Sequence, residues 1–344
     1  MNRPFATADL PGVGGSVKLA CEDFVVEEVP AYEPIGEGEH LFLWVEKRNI
    51  TTRDLVERIS QVTGAPVGDI GVAGLKDRVA VARQYVSLPA RFAKTISAIE
   101  DDRVRILRQS RHRNKLRTGH LRGNRFDICV RGVTNDAGPR AERIAERIGR
   151  LGFPNYFGLQ RFGRDRSTLE LGLQLLAGGA ANASAFRRRR RFLVRLALSA
   201  AQAFLFNAAL ADRIRDGLLH AVLVGDVMQV RQTGGVFVVV DGPAEQRRFD
   251  QRQTVVTGPM FGPKMRAAEG VVAAREGAVL DRYGLRPEDF ACWRRLTAGT
   301  RRPYLVYPES LEIQSVSHSI RFRFTLPAGA YATALLREFL KQDV

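Results

Sequence analysis

Residues 70–77, IGVAGLKD, form a short apolar run that ends in a Gly-Leu-Lys-Asp turn. An aspartate has an ordinary pKa of about 3.9 and is ionised at neutral pH. Such a carboxylate can act as a nucleophile or as a general base. Lys76, its neighbour, can hold it ionised by Coulomb attraction. By itself Asp77 is an ordinary turn aspartate, and the rest of the chain must say what it acts on. The densest signal is basic. Nine Lys or Arg and no acid lie between Arg103 and Arg125, with Arg111, Arg113, Lys115, Arg117 and Arg122 along the run. An unopposed run of that density repels itself unless something anionic lies over it, so contact with phosphates is expected. A second cluster, RRRRR, occupies 187–191.

The whole chain agrees with an anionic partner. It carries 53 Lys plus Arg against 37 Asp plus Glu, a net charge of +16 in 344 residues. Contacts to phosphates release counterions and favour association with a protein this basic. A codon bias explains why Arg outnumbers Lys, but not why bases outnumber acids. Hydrophobic residues make up 45% of the chain, enough for a substantial core and two domains. No run of about 18 apolar residues is read, so no membrane span is expected. The first residues lack the charged head and apolar stretch of a signal peptide. Cys21, Cys129 and Cys292 are odd in number and far apart, and read as reduced thiols of a cytoplasmic protein.

The elements that must position Asp77 follow from periodicity. Val17, Leu19, Phe24, Val26 and Val29 alternate with charged neighbours as one or two strands. Residues 40–48 read as a strand, followed by a helix capped by Thr51 or Thr52 with Leu55, Val56 and Ile59 as its stripe. Residues 83–88 are strand-like again, which places Lys76 and Asp77 on a loop at a sheet's edge. The segment 103–125 reads as strand, basic loop, strand, and a helix with Ile144, Ile148 and Leu151 follows. The glycine- and aromatic-rich segment 152–163 is too irregular for one element, and its Phe157 and Phe162 read as packing residues. Further on, a long helix is expected from about Ser199 to Asp216, with Phe204, Ala208 and Ala211 on one face. A hairpin is expected over 226–241, a loop at 257–263, and a helix over about 267–283. SIRFRFTLP, 319–327, is a strand, and ATALLREFLK after it a helix.

Several chemistries lack their apparatus. There is no GxxxxGK[ST], no GxGxxG between a strand and a helix, no GxSxG, no HExxH and no zinc-deaminase pattern. An enzyme built from this chain would work with side chains alone, without a cofactor or metal.

The motifs then become recognisable. GLKDRVAVARQ (74–84) resembles the signature of the tRNA pseudouridine synthase D family, and NYFGLQRFG (155–163) and LRGNRF (121–126) are similar to further family blocks. DFVVEE (23–28), GEGEHL (36–41), SAAQAFLFNAALADRI (199–214) and LPAGAYATALLRE (326–338) resemble four more, in order along nearly the whole chain. The signature often has Thr where this chain has Ala82, and the C-terminal block keeps its aromatic ring as Tyr331. The resemblance implies an α+β fold: a pseudouridine synthase core of mixed sheet and flanking helices from 1–154 and 305–344, with an α/β domain inserted over 155–304. It also implies action on uridine 13 of tRNA, no cofactor, and Asp77 as the catalytic residue. The strand at 319–327 would pair with something distant in sequence.

Pseudouridine formation breaks the bond from ribose C1′ to uracil N1 and remakes it to C5. An ionised Asp77 can attack C1′ or remove a proton at C2′. The target must leave its stack, and a flipped base needs an aromatic surface, for which Phe24, Phe126 and Tyr331 are candidates. Asn124 offers both donor and acceptor to a uracil edge, and Lys76 joins these as a substrate-side residue. A monomer is expected. Two rival readings are a non-catalytic RNA-binding factor, which leaves the Lys-Asp turn without a purpose, and an RNA methyltransferase, which lacks its glycine loop.

Overall fold

The computed structural model describes residues 3–178 and 191–343. Its main sheet has nine strands, and local sequence explains most of them. β1 (Gly14–Ser16), β2 (Phe24–Pro30), β3 (His40–Arg48), β4 (Gly71–Val72), β5 (Val81–Pro89), β6 (Val104–His112) and β7 (Leu121–Val133) come from the first part of the chain. After a two-residue β8 (Phe153–Pro154), a second sheet uses β9 (Val227–Val230), β10 (Val236–Val238), β11 (Thr254–Met260) and β12 (Thr300–Pro303). β13 (Leu305–Val306) pairs with β8, and β14 (Glu309–Val316) and β15 (Ser319–Pro327) return to the first sheet. The spatial order there is β14-β15-β7-β2-β5-β3-β6, with β1 on β7 and β4 on β5. β2 and β5 run parallel, while the other described pairs are antiparallel, so the sheet is mixed as expected.

β15 shows why its sequence was legible. Ile320, Phe322, Phe324 and Leu326 are buried, and Arg321 and Arg323 between them face out, the period of two that a half-buried strand requires. Its distant partner is β7, with Phe324 opposite Phe126 and Leu326 opposite Asn124. It also has a near partner that periodicity did not reveal, since β14 is an edge strand whose residues are mostly exposed.

The helix α1 (Thr52–Thr63) starts at Thr51. The Thr51 hydroxyl accepts from Asp54 N–H at 3.1 Å, and the Asp54 carboxylate accepts from Thr51 N–H at 3.0 Å, a reciprocal cap. Gly64, at φ 75°, ends it. The remaining helices are α2 (Ala137–Leu151), α3 (Ser167–Ala177), α4 (Arg191–Arg215), α5 (Gly242–Asp250), α6 (Gly270–Arg282), α7 (Pro287–Ala291) and α8 (Ala332–Leu340). One core lies between the main sheet and α2 with α8, a second under α1, and a third surrounds α4 against the second sheet.

Four expectations need correction. α4 is already helical at Arg191, the first residue described after 178, rather than from about Ser199, and it is buried on most sides from Ala197 to Ala211 rather than on one face. The stretch Phe192–Arg215 is therefore long and apolar enough by composition to cross a membrane, although no such run was read from the sequence; 72% of its most apolar window is buried inside the fold. The loop expected at 257–263 is largely β11. Glycine and proline suggested a turn, but Gly258 is needed there because the Tyr304 ring would lie 2.2 Å from any Cβ. The Asp77 turn lies before β5, an interior strand, and not at a sheet edge. The basic cluster at 187–190 lies outside the described residues.

Candidate active site

On β2, Phe24, Val26 and Glu28 alternate inward, so a carboxylate stands in an otherwise apolar row. A buried charge requires a partner. Glu28 Oε2 receives Lys76 Nζ at 3.0 Å, and its Oε1 accepts Tyr85 N–H at 3.3 Å. Both side chains of this ion pair are almost fully buried, at 4% and 1% exposure. Burial pushes the Glu28 carboxyl above its usual range, while Lys76 pulls against that.

This pairing corrects the role expected of Lys76. Its ammonium points to Glu28, and the ammonium on the Asp77 carboxylate belongs to Lys18. Lys18 Nζ lies 2.6 Å from Asp77 Oδ2 and 4.3 Å from the centre of the Phe24 ring. Lys18 adopts a left-handed backbone at φ 60°, a conformation that costs energy for a residue other than glycine. Asp77 Oδ1 has no hydrogen-bond partner among the described residues, and the side chain is 41% exposed.

The backbone of the turn is held from three sides. Lys76 N–H donates to Thr52 Oγ1 at 2.8 Å, and the same hydroxyl donates to Gln84 Oε1 at 3.0 Å. From β3, Lys47 Nζ donates to the carbonyls of Asp77, at 2.7 Å, and Ile50, at 2.5 Å. Gly119 N–H donates to Ala73 O at 2.8 Å and ties the loop between β6 and β7 to the turn. Lys18, Lys47, Glu28 and Thr52 carried no catalytic signal in the sequence, because their partners are remote along the chain.

Lys47 yields a pH prediction. It has no solvent exposure, and burial lowers its pKa from 10.5 to about 8. Below about pH 8 the ammonium is charged in both folded and unfolded chains, and the cost of burying it is fully present. Between about 8 and 10.5 the unfolded chain binds more protons, so stability from this group rises with pH. The unfolding free energy of the protein, relative to Lys47→Met, is expected to gain up to about 3 kcal/mol over that window. Urea unfolding at several pH values measures it, and a pH-independent difference would contradict the buried charge.

Phe24, Lys76, Asp77, Asn124, Phe126 and Tyr331 all line one open cleft of about 260 Å³. β2 and β7 bring Val26 opposite Phe126, β15 carries the chain from β7's flank to Tyr331 at the start of α8, and the Asp77 turn enters from β5 beside β2. Phe126 stacks on Phe324 at 5.2 Å and meets Phe24 edge-on at 6.1 Å. Both cleft phenylalanines are over nine-tenths buried, so they form its floor, whereas Tyr331 is half-buried at its side. Asn124 Oδ1 is buried without a hydrogen-bond partner. A buried acceptor left unpaired is costly, and a ligand's donor would satisfy it. Gln160 and Thr333 also line the cleft and were not anticipated. Phe157 and Phe162 are buried in the core around α4, in line with a packing role.

The basic run is less unopposed than its sequence suggests. Arg103, Arg108, Arg113 and Arg125 meet Asp101, Glu33, Glu37 and Glu27, and Lys115 Nζ donates to Gly68 O. The acids come from β2, from the loop between β2 and β3 and from the turn before β6, so a reading of the run alone cannot see them. Arg111, Arg117 and Arg122 are exposed and form no ion pair among the described residues. Arg117 stands on the loop tied to the Asp77 turn, and Arg122 adjoins Leu121, a cleft residue. Arg111 lies on β6 at the far edge of the sheet.

The family model for tRNA pseudouridine synthase D (TruD) matches residues 1–186 and 172–339. A tRNA pseudouridine synthase D of Anaeromyxobacter dehalogenans is 44% identical over 340 residues, covering 99% of this chain and 97% of the relative. One from Thermus thermophilus is 42% identical over 341 residues, covering 99% and 92%. The crystal structure of a tRNA pseudouridine synthase D from Methanosarcina mazei superposes with a TM-score of 0.79 at 25% identity, over 97% of this chain and 95% of that one. Agreement of this extent, in sequence from end to end and in fold, means that the chain belongs to the tRNA pseudouridine synthase D family.

Proposed function

We propose that the chain isomerises uridine 13 of tRNA to pseudouridine in the cleft over Asp77. Membership of the family carries the reaction class, an isomerisation of uridine in tRNA. The observation that supports the site is the gathering of one half-exposed carboxylate, an aromatic floor and an unpaired amide acceptor in a single cleft. Asp77 acts on the ribose, by attack at C1′ or by taking a proton from C2′. Lys18 pins one of its oxygens and leaves the other for the substrate. The flipped uracil lies against Phe24, Phe126 and Tyr331, and its N3–H donates to Asn124 Oδ1. Lys76, locked to Glu28, places the turn rather than the base.

No cofactor or metal takes part in this scheme, and the enzyme works as a cytoplasmic monomer. The main sheet is drawn from residues 14–133 and 309–327, and the second from 227–303. That separation supports a core of 1–154 with 305–344 and an inserted domain of 155–304.

Chemical mapping of pseudouridine in tRNA incubated with the purified protein and a chelator tests the reading. Product at position 13 is expected. Tight binding without product would favour a non-catalytic RNA-binding factor instead. Arg111, Arg113, Lys115, Arg117 and Arg122 are proposed to grip phosphates, foremost the unpaired Arg117 and Arg122 beside the cleft. Affinity for tRNA is expected to fall with salt at a log–log slope of about −0.7 to −0.9 per phosphate contacted. Filter binding over a salt series measures this, and a flat response would remove the electrostatic part of the proposal.

A further inference from the structure

Beyond Tyr331 a second space opens. A neighbouring hollow of about 200 Å³ is lined by residues that include Gln160, Arg161, Thr168 and Tyr331, and Gln160 and Tyr331 also line the Asp77 cleft. The two spaces adjoin, sharing Gln160 and the Tyr331 ridge in their walls.

Two guanidinium groups stand at this ridge without a carboxylate. Arg302 lies 4.1 Å over the Phe157 ring and 5.8 Å from that of Tyr331. It donates only to neutral acceptors, Asn155 O, Asn155 Oδ1 at 2.6 Å and Gly329 O at 2.9 Å. Its Nη1 has no hydrogen-bond partner among the described residues and is 3.7 Å from where a Cβ on Gly329 would stand. Gly329 itself lines the Asp77 cleft. Arg161 donates to Ser199 Oγ, and its Nε is buried with no partner.

Among the described arginines that are not solvent-exposed, this is exceptional. Each of the buried arginines, Arg3, Arg213, Arg301 and Arg337, is matched by an acid: Asp343, Asp226, Glu276 and Asp343 respectively. Burial pushes Arg302 down to about 10, and the nearby Arg161 charge adds to that. Paired cations held in place without a counter-ion are arranged for an anion that arrives. Arginine's planar fork suits phosphate in particular.

We infer that Arg161 and Arg302 bind a phosphodiester adjoining the flipped uridine, so that the hollow past Tyr331 seats the neighbouring nucleotide. The inference rests on the reading of the Asp77 cleft as the uridine site. The backbone phosphate then fixes the strand on one side of Tyr331 while the uracil enters on the other. Arg161 and Arg302 act as positioning residues for the reacting nucleotide.

The test uses tRNA ligated from two fragments, with a neutral methylphosphonate at either the 5′ or the 3′ linkage of the target uridine. One of these linkages is expected to lower kcat/KM of the wild type roughly 10- to 100-fold, the effect of losing a charged hydrogen bond. Arg161→Met is expected to lose a similar factor on natural tRNA, with a salt slope shallower by about 0.7 to 0.9. On the neutral linkage Arg161→Met is expected to lose nothing more, because the contact is already absent. Arg302→Lys, with a thermal melt as a check of folding, repeats the comparison where Arg302→Met fails to fold. Losses that multiply at both linkages, or a wild type indifferent to both, would overturn the phosphate site while leaving the uridine reading intact. A wild type that makes no pseudouridine on natural tRNA would sink both.

Discussion

Asp77→Asn is expected to produce no detectable pseudouridine while binding tRNA within a few-fold of the wild type. The amide is nearly isosteric with the carboxylate. The turn keeps its backbone anchors, because Lys47 holds the Asp77 carbonyl and Thr52 holds Lys76 N–H, neither of which involves the side chain. What disappears is the anionic oxygen, with its bond to Lys18. An amide is neither a nucleophile for C1′ nor a base for C2′, so turnover should fall by at least about 10⁴-fold, as when a reacting group is deleted elsewhere. Phosphate contacts supply most of the affinity and stay in place. A pseudouridine map with both proteins, run beside filter binding, reads the two quantities separately. Full activity in the variant would remove Asp77 from the mechanism. Loss of binding in parallel would mean that the substitution had disturbed the fold.

Glu28→Ala is expected to be the most damaging single change outside the chemistry. It strands the Lys76 ammonium, 4% exposed, without its carboxylate. Removing one partner of a buried pair typically costs 3–5 kcal/mol, because the remaining charge is left uncompensated. The same carboxylate also accepts Tyr85 N–H on the central strand β5, which would lose its acceptor. Lys76 precedes Asp77, so the loss should appear twice, as a lower urea midpoint and as a lower kcat in the fraction that still folds. The double variant Glu28→Leu with Lys76→Met should recover much of the stability, since an apolar pair of similar volume can replace a buried ion pair at little cost. It should recover less of the activity. If Glu28→Ala alone left stability within about 0.5 kcal/mol of wild type, as surface changes do, the pair would not be holding the turn.

The sequence by itself determined the local pieces of this protein. β3 and β15 were legible to the residue: β15 alternates as a half-buried strand must, whereas β3 is buried on both faces and shows as a short apolar run ending in charged residues. A threonine cap at Thr51 or Thr52, ahead of the stripe Leu55, Val56 and Ile59, announced α1 through near neighbours alone, and the structure places the cap at Thr51. The ordered blocks around Phe24, Asp77, Asn124, Phe126 and Tyr331 named the residues that later line one cleft. Only the tertiary structure decided who partners whom. Lys76 and Asp77 are adjacent in sequence, yet their side chains part, one to Glu28 in the core and the other to Lys18. Lys18 lies 59 positions from Asp77, and no spacing rule connects them. The same holds for the basic run, four of whose nine charges are answered by acids outside it. It holds as well for α4, whose apolar length fits a membrane as readily as a core until its neighbours are in place. Periodicity and caps are short-range properties that a few residues set. Ion pairing and burial are set by distances between side chains, and those exist only once the sheet has closed.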